Sequence, residues 1–96
     1  MLARFSVSPV GSGEHLGDKV ADAIQIVRDS GLDHQVTAMD TLIEGEWDEV
    51  MEVIRACVDA LHSHSDRVIC EVKIDDWKGR SGLLEGKVES VERRLS

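Results

Sequence analysis

Residues 35 to 44 read "QVTAM", Asp40, "TLIE": two β-prone stretches separated by little more than one aspartate. So short a link has no room for a crossover helix, so the two strands must be antiparallel neighbours. That restriction removes every architecture in which each strand returns parallel through a helix, the dinucleotide-binding folds included.

The flanking segments complete the pattern. In "ARFSVSP", residues 3 to 9, Ala3, Phe5 and Val7 point one way and Arg4, Ser6 and Ser8 the other, as on a strand with one apolar face. Pro9 and Gly11 end it, Ser12 is placed to cap the next segment, and Leu16, Val20, Ala23, Ile24 and Val27 recur at helical spacing, so a helix is expected from about Glu14 to Asp29. Gly31 closes that helix. After Gly45, an apolar stripe of Trp47, Val50, Met51, Ile54, Cys57, Val58 and Leu61 predicts a second helix over about 47 to 62, with Glu46, Asp48 and Glu49 at the positive end of its dipole. "RVICEVKID", residues 67 to 75, reads as a fourth strand, and Leu84, Val88, Val91 and Leu95 share one side of a short terminal helix.

The order β-α-β-β-α-β is the split βαβ arrangement called ferredoxin-like, an α+β fold. Right-handed crossovers put both helices on one face of a four-stranded antiparallel sheet. The other face is left open, carrying Arg4, Ser6, Ser8, Ile69, Glu71 and Lys73, joined by Thr37 and Met39 if Val36 and Ala38 face the helices. It is more apolar than a solvated face needs to be, and a second subunit is expected to cover part of it.

Ninety-six residues suit a single domain over 1–96, one modest core and no second unit. Nineteen acids against 11 bases give a formal charge of −8, which repels phosphate backbones and anionic membranes, so neither nucleic acid nor a membrane is an expected partner. Apolar runs are far shorter than the ~20 residues that span a bilayer, and "MLARFSVSPV" lacks the long apolar stretch of a signal peptide, so a cytoplasmic protein is expected. Cys57 and Cys70 stand 13 apart without a CxxC; both read as small core hydrophobes, with a disulfide or a reactive thiol as the alternative.

Few constellations carry chemistry. "GSGEHLG", residues 11 to 17, has the spacing GxGxxxG, too long for a dinucleotide fingerprint; its helix start serves for capping or for a small anion. His62 and His64 lie two apart, where helical side chains diverge and cannot share a metal. No serine stands in a nucleophile motif. Glu44 and Glu46 remain: two apart across a strand end, they start on the same side, and like charges that close belong either in water, as a polar corner capping the next helix, or around something positive or hydrogen-bond donating. Trp47 beside them suits a core residue or a wall for a flat ring.

Taken in order, "SVSPVG", "DSGLDH", "MDTLIEGEWDEV" and "KVESVERRL" resemble the small thiamine-binding family related to YkoF, over nearly the whole chain. The most specific parts are Thr41, Ile43, Glu44, Gly45 and Glu46 with Trp47 to Val50, and Lys87 to Val91; Pro9 and Gly11 match the first turn. The resemblance implies ferredoxin-like domains that pair sheets into dimers, assemble as tetramers, and bind thiamine or its hydroxymethylpyrimidine half without catalysis, metal or further cofactor. It implies Glu44 as acceptor for the amino group or counter-charge for the thiazolium, Thr41 with Ser6 or Ser8 as hydroxyl partners, and Met39 or Trp47 as the wall. The competing expectation is a structural or regulatory oligomerisation module whose acidic corner is only a cap. An enzyme using Glu44 or Glu46 as general base ranks below both.

Overall fold

Strand alternation and helical spacing become seven elements in the computed structural model, which describes residues 1–11 and 17–95. They are β1 (Leu2–Pro9), α1 (Gly17–Asp29), β2 (Asp33–Val36), β3 (Thr41–Glu44), α2 (Trp47–Leu61), β4 (Val68–Asp75) and α3 (Leu83–Leu95). The sheet runs β2-β3-β1-β4 with every pair antiparallel, so the expected α+β arrangement is the one found. The expected cap at Ser12, the helix start near Glu14 and most of the glycine-rich turn lie outside the described residues.

Cross-strand partners share a face, so the register sorts the side chains. Ala3 lies across from Ile43 and Ile74, Phe5 from Thr41 and Val72, and His34 from Ile43; these face the helices. Ala3, Phe5 and Ile43 are buried there against Ala23 and Val27 of α1 and Val50, Val53, Ile54 and Cys57 of α2. Each large apolar side chain in this layer contributes about 1.5–3 kcal/mol through burial. The buried line of α2 is Val50, Val53, Ile54, Cys57 and Leu61, so Val53 takes the place expected for Met51, and Trp47 and Met51 are left on the rim. Cys57 is fully buried and Cys70 is half-buried against the same core, both as free thiols.

The opposite face carries Arg4 across from Leu42 and Lys73, Ser6 across from Glu71, and Ser8 across from Ile69, as alternation required. Thr37 and Met39, however, do not extend it. β2 stops at Val36, and Thr37 to Asp40 make a two-residue hairpin turn with Met39 86% exposed at its tip. Tight hairpins usually use glycine or asparagine at positive φ; no non-glycine residue described here has positive φ, and the Thr37 hydroxyl closes the turn instead. It accepts from the main-chain N–H groups of Met39 (3.2 Å) and Asp40 (3.1 Å) and lies 3.0 Å from the Asp40 carbonyl oxygen. Local hydroxyl bonding of this kind outcompetes strand extension.

α3 starts on the open face. Leu83 is buried, and Lys87 pairs with Asp75, which lies across from Leu2. Farther along, Val88, Val91 and Leu95 stay exposed.

Candidate functional site

β1 pairs with β4 along its whole length, Leu2 to Pro9, but with β3 only from Leu2 to Phe5. Past Phe5 the β2–β3 hairpin turns away, and a notch opens between β1, the hairpin and α1. Its volume is about 140 Å³. Phe5, Val7, Val36, Ile24 and Val27 make it largely apolar, Cys57 reaches it from α2, and Thr37, Met39, Asp40 and Thr41 bring the hairpin to it beside Ser6. A cavity of about 150 Å³ holds one six-membered aromatic ring, so the notch has room for a single ring.

Electrostatics near the notch are local. Asp40 accepts from the Thr37 hydroxyl at 3.1 Å and pairs with Arg4 Nη1 at 3.3 Å, tying the hairpin tip to the open face of β1. The Cys57 thiol, 3.4 Å from the Ala23 carbonyl oxygen, is pushed up to about 11, by burial first and then by neighbouring Cys70. It is therefore held as a neutral thiol near pH 7.

Of the six residues singled out from sequence, Met39 and Thr41 come together at the notch, and Ser6 borders it from β1 although its side chain lies on the open face across from Glu71. Ser8 lies further along β1, exposed on the other face. Glu44 lies three residues from Thr41 on β3, ~10 Å along the strand, with its side chain on the opposite face. It is only 8% exposed, and its two oxygens accept from Leu83 N–H (2.8 Å) and Leu84 N–H (3.2 Å). Those are free donors at the start of α3, so this carboxylate works there as a side-chain cap. Trp47 sits beyond the same end of the sheet, its indole N–H donating to Asp76 Oδ2 at 2.9 Å. One ring in the notch cannot also reach Glu44 or Trp47.

The carboxylate pair is divided in the same way. Glu46 is exposed before α2, where Glu49 reaches back to accept from its main-chain N–H at 3.1 Å. Around Glu44 and Glu46 a second cleft, about 720 Å³, is lined by Met1, Asp33, Asp76, Trp77 and residues 78–82, with Arg80 stacked on Trp77 at 4.4 Å. It is wider and more polar than the notch, and just as open to solvent. Among the described residues, no three histidine, cysteine or acidic side chains gather as metal ligands. Sequence reasoning passed over Val7, Val36 and α1 as parts of the site, because strand alternation assigns them to a core and gives no sign that β3 stops short.

Comparison with known proteins places this geometry in a family. The family profile described as thiamine-binding protein matches residues 3–92. The UPF0045 protein Mb1933 of Mycobacterium bovis is 45% identical over 96 residues, covering 99% of this chain and 94% of its own. A crystal structure of the Methanocaldococcus jannaschii protein MJ1052 superposes with a TM-score of 0.87 at 27% identity, covering 95% of this chain and 94% of that one. A Thermotoga maritima protein, described as a candidate for thiamine biosynthesis or salvage, shares the fold at a TM-score of 0.81 and 23% identity, covering 94% and 96% of the two chains. With a profile spanning almost all of its length, the chain belongs to the thiamine-binding protein family.

Proposed function

We propose that this protein binds thiamine or a related aminopyrimidine without turning it over, and that it does so as a homo-oligomer in the cytoplasm. The observation that carries the reading is the notch: a space of about 140 Å³, the size of one aromatic ring, lined by Phe5, Val7, Val36 and Ile24 and edged by Thr41. The pyrimidine ring fits inside, and the thiazolium half of thiamine extends past Met39 toward solvent, where the acidic surface of a chain with net charge −8 favours a cation. Family membership supports the ligand class. A cytoplasmic setting suits two free thiols, and no helix of the described residues is long and apolar enough to cross a membrane.

A second reading, an assembly module without a ligand, is favoured by the exposed apolar stripe of α3. Thermal unfolding separates the two. At 100 times its dissociation constant a ligand adds ~2.7 kcal/mol, which raises the midpoint of a domain this size by roughly 10–20 °C. No shift with millimolar thiamine or hydroxymethyl aminopyrimidine would sink the binding reading and leave the assembly module.

A further inference from the structure

The main chain of β1 alternates between its two neighbours, and the contacts at its ends show which residues face which side. Gly45 N–H donates to the Met1 carbonyl (3.1 Å), and the Met1 amine donates to the Gly45 carbonyl (2.9 Å), so Met1 turns its polar groups toward β3. At the other end Val10 N–H donates to the Arg67 carbonyl beside β4 at 2.8 Å. In an antiparallel strand a residue's N–H and C=O point to the same side and successive residues alternate. Ala3, Phe5, Val7 and Pro9 therefore face the β3 side.

Ala3 and Phe5 meet Ile43 and Thr41 there. The same register would bring Met39 opposite Val7, but the Thr37 hydroxyl holds Met39 in the hairpin turn. The Val7 N–H and C=O consequently point across the notch with no partner among the described residues. Pro9, two residues on, faces the same side, which is the position in a sheet where a missing N–H costs no ladder bond.

We infer that the main chain of Val7 is the specificity element of the notch and reads the edge of an aminopyrimidine. In an extended residue the N–H and C=O lie side by side and aim the same way, a donor beside an acceptor. The complementary ligand edge is a ring nitrogen next to an exocyclic amino group, an acceptor beside a donor. Replacing the amino group by a carbonyl reverses that edge: the ring nitrogen becomes a donor facing a donor, and the new oxygen an acceptor facing an acceptor. A thiazolium has no such edge at all. Phe5, Val36 and Ile24 line the notch beside the ring, so a donor or acceptor left without its match there loses contact with part of its water. This inference rests on the binding reading and adds by which atoms the ring is selected.

The test uses the full chain, isotopically labelled, titrated with hydroxymethyl aminopyrimidine and with its oxo analogue. The amino compound should bind, move the Val7 amide resonance downfield and slow its hydrogen exchange at least tenfold. The oxo compound should bind about 100-fold more weakly. Val7→Pro removes the notch-facing N–H and no bond to β4, so it should lower affinity for the amino compound at least tenfold with an unchanged circular dichroism spectrum. Should that variant fail to fold, the Val7 amide of the unaltered chain decides. Binding of the amino compound with the Val7 amide unmoved, or equal affinity for both compounds, overturns the inference while leaving a binding protein. If neither compound binds, the binding reading fails and the inference falls with it.

Discussion

Glu44 shows how one side chain can be conspicuous in a sequence for one reason and serve another purpose in the fold. It stands in the most family-specific stretch, and its carboxylate holds the first two donors of α3. Glu44→Gln leaves one acceptor and turns an amide N–H toward a main-chain N–H. That should cost about 1–3 kcal/mol in urea unfolding while affinity at the notch stays the same; loss of affinity at unchanged stability would return Glu44 to the ligand. Cys57 makes a pH-dependent prediction. Its pKa in the folded chain is raised to about 11, so its contribution is fully present below the ordinary thiol range near 9 and is lost as pH climbs through about 11. The wild-type protein should lose on the order of 2–3 kcal/mol between pH 9 and 11 that Cys57→Ser does not lose. The chain has no tyrosine to titrate in that window, and its lysines are common to both proteins.

The β2–β3 hairpin is the element on which the site depends. Its tip is Ala38–Met39, residues with no turn preference, and the Thr37 hydroxyl supplies what glycine would supply elsewhere. Thr37→Val keeps the shape and removes the hydroxyl, leaving two main-chain donors without their acceptor. Stability should fall by about 1–2 kcal/mol and affinity for an aminopyrimidine should drop, because only the Thr37 N–H bond to the Asp40 carbonyl and the Asp40–Arg4 pair then keep Met39 from sliding along β1 into register with Val7. A variant with unchanged stability and affinity in paired melting and titration experiments would show that the turn holds itself. The strand pair itself was legible in the sequence because so short a connection admits only one pairing. Where the pair ends was not, since "QVTAM" has the same β-prone character on both sides of Thr37 and only the hydroxyl's bonds distinguish them.

Across the whole molecule the two sides of the sheet are unequally covered. α1 and α2 bury one side, while on the other the start of α3 is anchored, Val88 and Val91 are about half exposed and Leu95 is 81% exposed, and Ile69 of β4 is exposed as well. A helix with a bare apolar stripe and a sheet half covered are what self-association through this face would use. Val91→Glu should lower the mass measured by light scattering to that of a smaller assembly without lowering the helical signal; an unchanged mass would move the interface elsewhere.

Periodicity alone determined the elements, their order and the face of each strand, because alternation and helical spacing are local properties and the short link between β2 and β3 permits one topology. The family resemblance singled out Thr41 and Glu44 as neighbours in one motif. Tertiary structure separated them: strand geometry puts them on opposite faces, where Thr41 edges the notch and Glu44 caps a helix 39 residues away in the chain. The notch itself exists because β3 starts only at Thr41, opposite Phe5, while β1 runs on to Pro9, a mismatch between partners distant in sequence that no single segment encodes.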